Sequence, residues 1–357
     1  MTVKITKPEI NVREKISELD KPSGVAGRAI LAAETPQEQF NLIGAGRRNL
    51  IINGDFGIAH RTTSSPSSNL NGYTSVDRFY VNNSGGTSSQ TQQTFTNGQT
   101  EVPGFPKHYY TFASTVGNNN QGFHQRIEDV RTLAGETVTM SFWAKGTNPA
   151  GGEFTSSWIQ DFGSGGSSSV EAAATGDASG GIVLTSNWKK YSFTYTVPSA
   201  SGKTIGENSF TWVEIIRQPG TDTGTTAWTA DIANVQLEYG TVATPFEHRH
   251  VGEELALCQR YYEEGLGYWN AAGGYMREHM PFKVQKRAAP SIAVYSSVGG
   301  NGAPTSGTLN EFYQSGTSKA GLSAAKASPY SYRADISNTS YTTNIDVYWG
   351  WTAEAEL

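Results

Sequence analysis

Apolar and polar residues alternate in several short segments through the middle of the chain. In residues 136–145, Val138, Met140 and Phe142 fall on one side, and threonine or serine stands between them. A period of two places alternate side chains on opposite faces of a β-strand. The same alternation occurs in residues 188–197, 210–217 and 228–237. The pattern predicts a mainly β chain whose middle part is an antiparallel β-sandwich.

The composition favours short strands joined by turns and argues against two kinds of partner. Charged residues make up only 17% of the chain, which contains 40 glycines. The formal net charge is −5, and no basic run is present that could follow a phosphate backbone, so we expect no nucleic-acid partner. No apolar stretch approaches the roughly 20 residues of a membrane span, and the sequence does not open on a signal-like segment. We therefore expect neither membrane insertion nor a leader.

The single cysteine, Cys258, excludes an intramolecular disulfide and a cysteine-based metal cage. A catalytic thiol needs a base close to it, and the sequence offers only distant histidines such as His248, His250 and His279. We therefore interpret Cys258 as a buried, unreactive thiol.

The beginning of the chain differs from its middle. Val12, Ile16 and Leu19 share one face of a predicted short helix, and residues 35–40 form a second helical candidate. Helices this short are marginal in water, so we interpret residues 1–48 as a helical or extended N-terminal docking arm. Its predicted docking residues are Ile10, Val12, Ile16, Leu19 and Phe40.

The chain changes character again after Arg249. Leu255, Cys258 and Tyr262 have helical spacing, which predicts a linking helix. β-like segments follow as far as residue 357, and they are long enough for a second, small β-domain. The predicted organisation is an arm at 1–48, a sandwich domain at 49–249, the helix at 250–265 and the C-terminal β-domain at 266–357.

The segment 49–61, NLIINGDFGIAHR, contains an Asn53-Gly54 pair, which usually occupies the tight turn of a β-hairpin. No alternating second strand follows this pair. We therefore predict that residues 49–53 are the first strand of the sandwich and pair with a strand far along the chain. Phe56 is then expected to enter the core, and Gly54 to let the backbone bend.

Three stretches of the middle region resemble jelly-roll carbohydrate-binding modules, which are found beside glycan-degrading enzymes. They match in order and spacing, at residues 49–56, 127–145 and 232–247. The resemblance implies that the predicted sandwich is a jelly roll.

Over nearly its full length, the chain also resembles a group of tailed-phage virion proteins, and its arm is similar to arms of marine podophage structural proteins. The matching motifs are NLIINGDF at 49–56, YTSVDRF at 73–79, TPFEHR at 244–249, LCQRYY at 257–262 and WTAEAEL at 351–357. This resemblance implies a tail fibre or another virion appendage, present as a homotrimer in the virion. Its arm would dock on other virion proteins, and host cell-surface glycan is the implied target.

Three other functions stay open at this point. They are a purely architectural virion protein such as an adaptor or capsid decoration, a glycan depolymerase tailspike, and a cellular carbohydrate-binding protein. Glycoside hydrolysis needs two acids on either side of the scissile bond, and the acids of this chain are scattered along it. The sequence also contains no nucleophile-elbow, zincin or phosphate-loop motif, so we expect no enzymatic activity.

The resemblance to carbohydrate-binding modules implies one cofactor, a structural calcium ion. Calcium prefers six to eight oxygen ligands. The candidate ligands are Asn53, Asp55, Glu136 and Asp231. The modules often have an aspartate where this chain has Ala233, and the alternative for Asp55 is that it caps a turn.

A glycan site needs an exposed aromatic ring beside a planar polar side chain, because sugars present apolar faces edged with hydroxyls. The candidate residues are Trp158 with Gln160 and Asp161, Trp212 with Glu214, and Trp228. The alternative is that these rings belong to the core, as we expect for Trp143.

Asp77 and Arg78 are adjacent charges within an apolar stretch that we interpret as a strand. We predict a structural ion pair in which a carboxylate from another strand holds Arg78.

Overall fold

The computed structural model describes residues 48–65, 71–83, 86–116, 121–149, 152–172, 174, 181–217, 227–271, 276–296, 309–314, 317–336 and 345–357. The predicted docking residues Ile10, Val12, Ile16, Leu19 and Phe40 lie outside these ranges. The chain divides into the units Met1–Leu50 and Ile51–Leu357, and the description below concerns the second. Within the described ranges, no helix is long and apolar enough to span a bilayer.

Two five-stranded antiparallel sheets form a sandwich in the middle of the chain. The first sheet has the order β1 (Tyr80–Asn83), β4 (Gln121–Glu128), β9 (Phe210–Arg217), β6 (Trp158–Asp161) and β7 (Val170–Ala172). The second has the order β2 (Thr87–Thr94), β3 (His108–Val116), β10 (Trp228–Tyr239), β5 (Thr137–Thr147) and β8 (Lys189–Thr196). The four alternating segments of the sequence are β5, β8, β9 and β10. The mainly β class and the jelly-roll sandwich are therefore confirmed.

Aromatic side chains from both sheets fill the core of the sandwich. Phe123 of β4 meets Tyr110 and Phe112 of β3, with ring centroids 5.4 and 6.0 Å apart in edge-to-face geometry. Val138, Met140 and Phe142 all point into this core, as the alternation predicted. Full burial of such side chains contributes about 1.5–3 kcal/mol each.

The C-terminal region is also made of antiparallel sheets. In one, β18 (Ile345–Glu354) pairs with β11 (Tyr262–Ala271), β13 (Ser291–Ser296) and β14 (Glu311–Gln314), and β14 pairs with β15 (Thr317–Ala320). The other has the order β12 (Met276–Pro281), β17 (Ser331–Ile336) and β16 (Leu322–Ala325). Trp349 and Tyr332 are fully buried in the core of this region. Gly267 lies so close to Trp349 that a Cβ atom there would be 2.0 Å from its ring.

A single described α-helix, α1 (Val251–Gln259), follows the sandwich. The predicted linking helix over 250–265 is wrong beyond Gln259, because Tyr262 already pairs with Glu354 at the start of β11. Cys258 is buried in α1, and burial raises the pKa of its thiol well above the ordinary value. Its interpretation as a buried thiol is confirmed.

The NGDF segment is a turn and not the predicted first strand. Residues 51–55 form consecutive turns, and the Phe56 amide donates to the Asn53 carbonyl at 2.9 Å. The turn that this bond closes has Gly54 as its second residue, as predicted, and the positive φ values of 62° and 57° fall on Asn53 and Phe56. Phe56 is fully buried, which confirms its predicted place in the core. The segment contacts a distant strand through one bond, since the Val235 amide donates to the Gly54 carbonyl at 2.8 Å.

Asp77 and Arg78 lie in a turn just before β1 and not within a strand. The predicted structural ion pair of Arg78 is confirmed, and its partner is Glu356, which follows β18. Both side chains are buried. Asp77 accepts hydrogen bonds from the backbone amide of His60 at 2.9 Å and lies 2.6 Å from the His60 ring nitrogen Nδ1. The pair of Arg78 with Glu356 joins the sandwich to the C-terminal residues.

Candidate functional site

A cavity of about 330 Å³ opens on the outer face of the second sheet of the sandwich. Ser141 and Trp143 of β5 alternate with the inward-pointing Met140 and Phe142, so they face away from the core and into this cavity. The volume lies within the range of about 300–1,000 Å³ for small-molecule sites. The lining residues are Pro103, Gly104, Ser141, Trp143, Lys190, Asn234, Ala243, Thr244, Pro245, Phe246 and His248.

Trp143 supplies the largest apolar surface of the cavity. It is half-buried and packs beside Trp188 and Ala233, in a small cluster that covers part of the outer sheet face. Its expected place in the sandwich core is therefore wrong, because it falls on the opposite side of β5 from Phe142. The exposed part of the ring is available to a ligand.

Asn234 places an unsatisfied acceptor beside this ring. The register of β10 against β5 shifts between Ala233 and Gln236, and the resulting bulge holds Asn234 at a φ of 53°. Its Nδ2 donates to the Pro103 carbonyl at 3.3 Å, whereas its buried Oδ1 has no hydrogen-bond partner among the described residues. A buried unsatisfied acceptor costs about 1–3 kcal/mol, so a donor from a ligand or water would stabilise it.

Residues 243–248 form one wall of the cavity, and polar contacts fix this wall on the sheet. The buried Glu238 carboxylate accepts from the Thr244 amide at 2.9 Å, from the Thr244 hydroxyl at 2.6 Å and from Gln236 Nε2 at 2.8 Å. Gln236 Oε1 in turn accepts from the Glu247 amide at 2.8 Å. The wall is therefore held in place before any ligand binds.

Lys190 adds a positive charge to the cavity. Its Nζ donates to the carbonyls of Ala243 and Thr244 at 3.3 and 2.9 Å. Burial lowers the pKa of Lys190, although the nearby Glu238 opposes this effect. The ammonium group therefore lies in a partly desolvated position.

Two aromatic rings complete the wall formed by residues 243–248. The Phe246 and His248 rings meet edge to face with centroids 4.9 Å apart. Gly104 lies against this pair, and a Cβ atom at its position would be 3.0 Å from His248 Nε2. An apolar ring, an unsatisfied amide acceptor, an ammonium group and hydroxyls suit a polyhydroxylated ligand with an apolar face. Among the described residues that line the cavity, none carries a carboxylate.

The predicted glycan residues lie elsewhere, in and around β6, β9 and β10. Trp158 and Trp228 are core residues, 0% and 1% exposed, and Gln160 is also fully buried, so these three predictions are wrong. Asp161 Oδ1 accepts from the Gly163 amide at 2.8 Å. Trp212 is half-buried and stacks on His124 with ring centroids 3.8 Å apart. None of the six candidates, Glu214 included, lines the cavity.

The predicted calcium ligands are not brought together. Glu136 precedes β5 and Asp231 pairs with Lys145 at its far end, which separates the two acids by about 30 Å at the rise of a strand. Asp55 Oδ1 accepts from the Gly57 amide at 3.1 Å, as the alternative of a turn cap predicted. The Asn53 amide group donates to the Ile58 and Asp77 carbonyls. Across the described ranges, no cluster of three or more His, Cys, Asp or Glu residues is arranged to hold a metal.

Comparison with known proteins gives a likeness at the level of fold only. No family model and no curated protein matches the chain. The cellulose-binding domain of Cellulomonas fimi β-1,4-glucanase C is 16% identical, with 40% of this chain and 88% of that domain covered and a TM-score of 0.27. The enzymatically active domain of tailspike protein 4 from bacteriophage CBA120 is 13% identical, with 54% and 21% covered and a TM-score of 0.28. A cyclase from Fischerella sp. is 12% identical, with 55% and 98% covered and a TM-score of 0.32. Similarities this weak leave the function to the geometry of this chain.

Proposed function

We propose that this protein binds glycans without cleaving them, through the cavity on the outer face of the second sheet. The observation that carries the proposal is the position of Trp143 beside Asn234. An exposed ring face meets the apolar side of a sugar, and a free amide oxygen accepts a bond from one of its hydroxyls. Thr244, Ser141 and Lys190 add further polar groups around the same space.

The lining of the cavity supports the proposal of binding without hydrolysis. Glycosidases place two carboxylates about 5–9.5 Å apart across the bond, and the described lining residues include none. Binding is therefore the chemistry for which the site has the required groups.

The assembly part of the proposal rests on the sequence resemblance to tailed-phage virion proteins. In this proposal the chain is a homotrimeric virion appendage that docks through residues 1–48 and presents its cavities to host-surface glycan. Three weak sites on one rigid particle bind a repetitive surface far more tightly than one site alone.

The full chain should be tested on a glycan array together with two cavity variants. Trp143→Ala removes the ring, and Asn234→Gly removes the amide while it preserves the positive φ. Each is expected to weaken binding by about tenfold, since a stacking contact or a hydrogen bond of this kind contributes about 1–1.5 kcal/mol.

The matched control is Tyr268→Ala, which removes an exposed aromatic ring from β11. It should bind as the unchanged protein does. Equal losses in the cavity variants and in Tyr268→Ala would contradict a specific site in the cavity. Binding to no glycan at all would leave a purely architectural protein, and shortening of a bound polysaccharide would contradict the absence of catalysis.

A further inference from the structure

The Lys190 ammonium group has one donor more than its partners among the described residues use. An ammonium group carries three N–H donors, and the carbonyls of Ala243 and Thr244 accept from Lys190. Both partners are neutral. Among the described residues, no carboxylate lies within 4.0 Å of Nζ to form a salt bridge.

Glu238 does not act as a salt-bridge partner for Lys190. Glu238 influences Lys190 electrostatically, but donors from Thr244 and Gln236 already occupy its two oxygens. It also sits behind the wall of the cavity and is not among the lining residues. The cavity thus presents a partly desolvated cation whose direct contacts are all to neutral groups. An anion entering there would replace the hydration that burial removes.

We infer that the cavity selects acidic glycans, with Lys190 contacting the anionic group while Trp143 and Asn234 hold the sugar ring. This inference rests on the proposed function, because it names the class of glycan that the same cavity binds. A carboxylate of a uronic acid and a sulfate ester share the required charge, and both accept hydrogen bonds from an ammonium group.

The test compares probes that share a backbone and differ in charge. Oligogalacturonate differs from its methyl ester by the free carboxylate groups. Dextran sulfate differs from dextran by the sulfate groups. The full chain should bind at least one acidic probe about tenfold more tightly than its neutral partner. Raising the salt from about 0.05 to 0.5 M should weaken only the acidic binding, because the Debye length shortens severalfold. This salt dependence needs no variant.

Three lysine variants assign the effect to the cavity. Lys190→Met should abolish the preference for the acidic probe, and Lys190→Arg should retain it. Lys189→Met is the matched control, because it removes the same charge from the neighbouring exposed residue, which does not line the cavity. Its binding should not change.

The outcomes separate the two proposals. Trp143-dependent binding of neutral and acidic probes with equal affinity would overturn the inference and leave glycan binding in place. The inference would also be overturned if Lys189→Met abolished the preference for the acidic probe and Lys190→Met preserved it. Failure of the full chain to bind any probe or any glycan on the array would overturn both proposals.

Discussion

The guanidinium group of Arg78, just before the first strand of the sandwich, is paired with the carboxylate of Glu356, just after the last strand of the chain. Both side chains are buried, and the guanidinium carbon lies 3.3 Å from the centroid of the Tyr261 ring. Close by, Arg126 donates to the Leu357 carbonyl. The sandwich and the final residues are thus joined through charges that water does not reach.

Loss of either partner in this ion pair should be costly, since it removes a counter-charge from a buried group. Arg78→Met and Glu356→Leu are each expected to lower the free energy of unfolding by about 3–5 kcal/mol. The double variant should lose less than the sum of the two single variants, because the bond between Arg78 and Glu356 is lost only once. Arg61 Nη2, which lies 3.4 Å from Glu356 Oε1, keeps Glu354 at 3.7 Å in that variant. Urea denaturation of all four proteins gives the coupling energy. Single variants that unfold at the same urea concentration as the unchanged protein would contradict a stabilising pair.

Glu214 should make the protein less stable as the pH rises. Burial raises the pKa of this carboxyl from 4.5 to about 7, although Arg217 and the Ser157 hydroxyl lower it. The folded state therefore favours the protonated carboxyl, and this contribution is complete below pH 4.5 and is lost as the pH rises through about 7. The difference between the two pKa values corresponds to a loss of about 3 kcal/mol in the free energy of unfolding.

The measurement is the stability of the unchanged protein and of Glu214→Gln between pH 4 and 8. The amide cannot ionise. The free energy of unfolding of Glu214→Gln, relative to that of the unchanged protein, should therefore rise by about 3 kcal/mol between pH 4 and pH 8. Glu101→Gln, which changes an exposed acid in the same way, is the control. Parallel curves for Glu214→Gln and the unchanged protein would contradict the raised pKa.

The sequence was sufficient to predict four strands of the sandwich but not which way the large apolar side chains of every strand point. A period of two defines two faces of a strand without saying which one meets the other sheet. Phe142 and Trp143 are both large and apolar, yet the first is in the core and the second lines the cavity. Trp158 was misassigned for the same reason, since only the pairing of β6 with β9 shows that it points inward.

The cavity itself could not be predicted, because its residues come together only in the folded chain. Gly104, Trp143, Lys190 and Asn234 are far apart in the sequence, and the bulge that turns Asn234 into the cavity leaves no signal in periodicity. One part of the cavity wall does correspond to a motif in the sequence. The TPFEHR motif at 244–249 was recognised as the end of the module, and it supplies most of one cavity wall.

Phe56 should contribute more to stability than Phe105, a surface phenylalanine that also has a positive φ. Its ring lies 4.9 Å from Phe79 and 5.3 Å from Tyr110, between centroids, and is fully buried. Phe56→Ala is expected to lower the free energy of unfolding by about 3–5 kcal/mol, because it opens a cavity in the core. Phe105 also has a positive φ but is 72% exposed, so Phe105→Ala should change stability by less than about 0.5 kcal/mol. Similar losses measured by urea denaturation would contradict the role of Phe56 in the core.

The wall of the cavity should depend on one hydroxyl group. Thr244 Oγ1 donates to Glu238 Oε2 at 2.6 Å, and Thr244→Val removes this donor from a buried carboxylate while it preserves the shape of the side chain. We expect a loss of about 1.5–3 kcal/mol in stability, and about tenfold weaker glycan binding because residues 243–248 move. Thr244→Ser keeps the hydroxyl and should behave like the unchanged protein.

Thr185→Val controls for the loss of a hydroxyl group elsewhere. Thr185 is exposed, and its hydroxyl donates to the Asn187 carbonyl at 2.8 Å, so this change should alter neither stability nor binding measurably. Thermal unfolding and titration with the tightest glycan from the array give both readouts on the same samples. If Thr244→Val binds as tightly as Thr244→Ser, the position of the wall does not determine affinity, and the ring of Trp143 with the amide of Asn234 must hold the ligand without it.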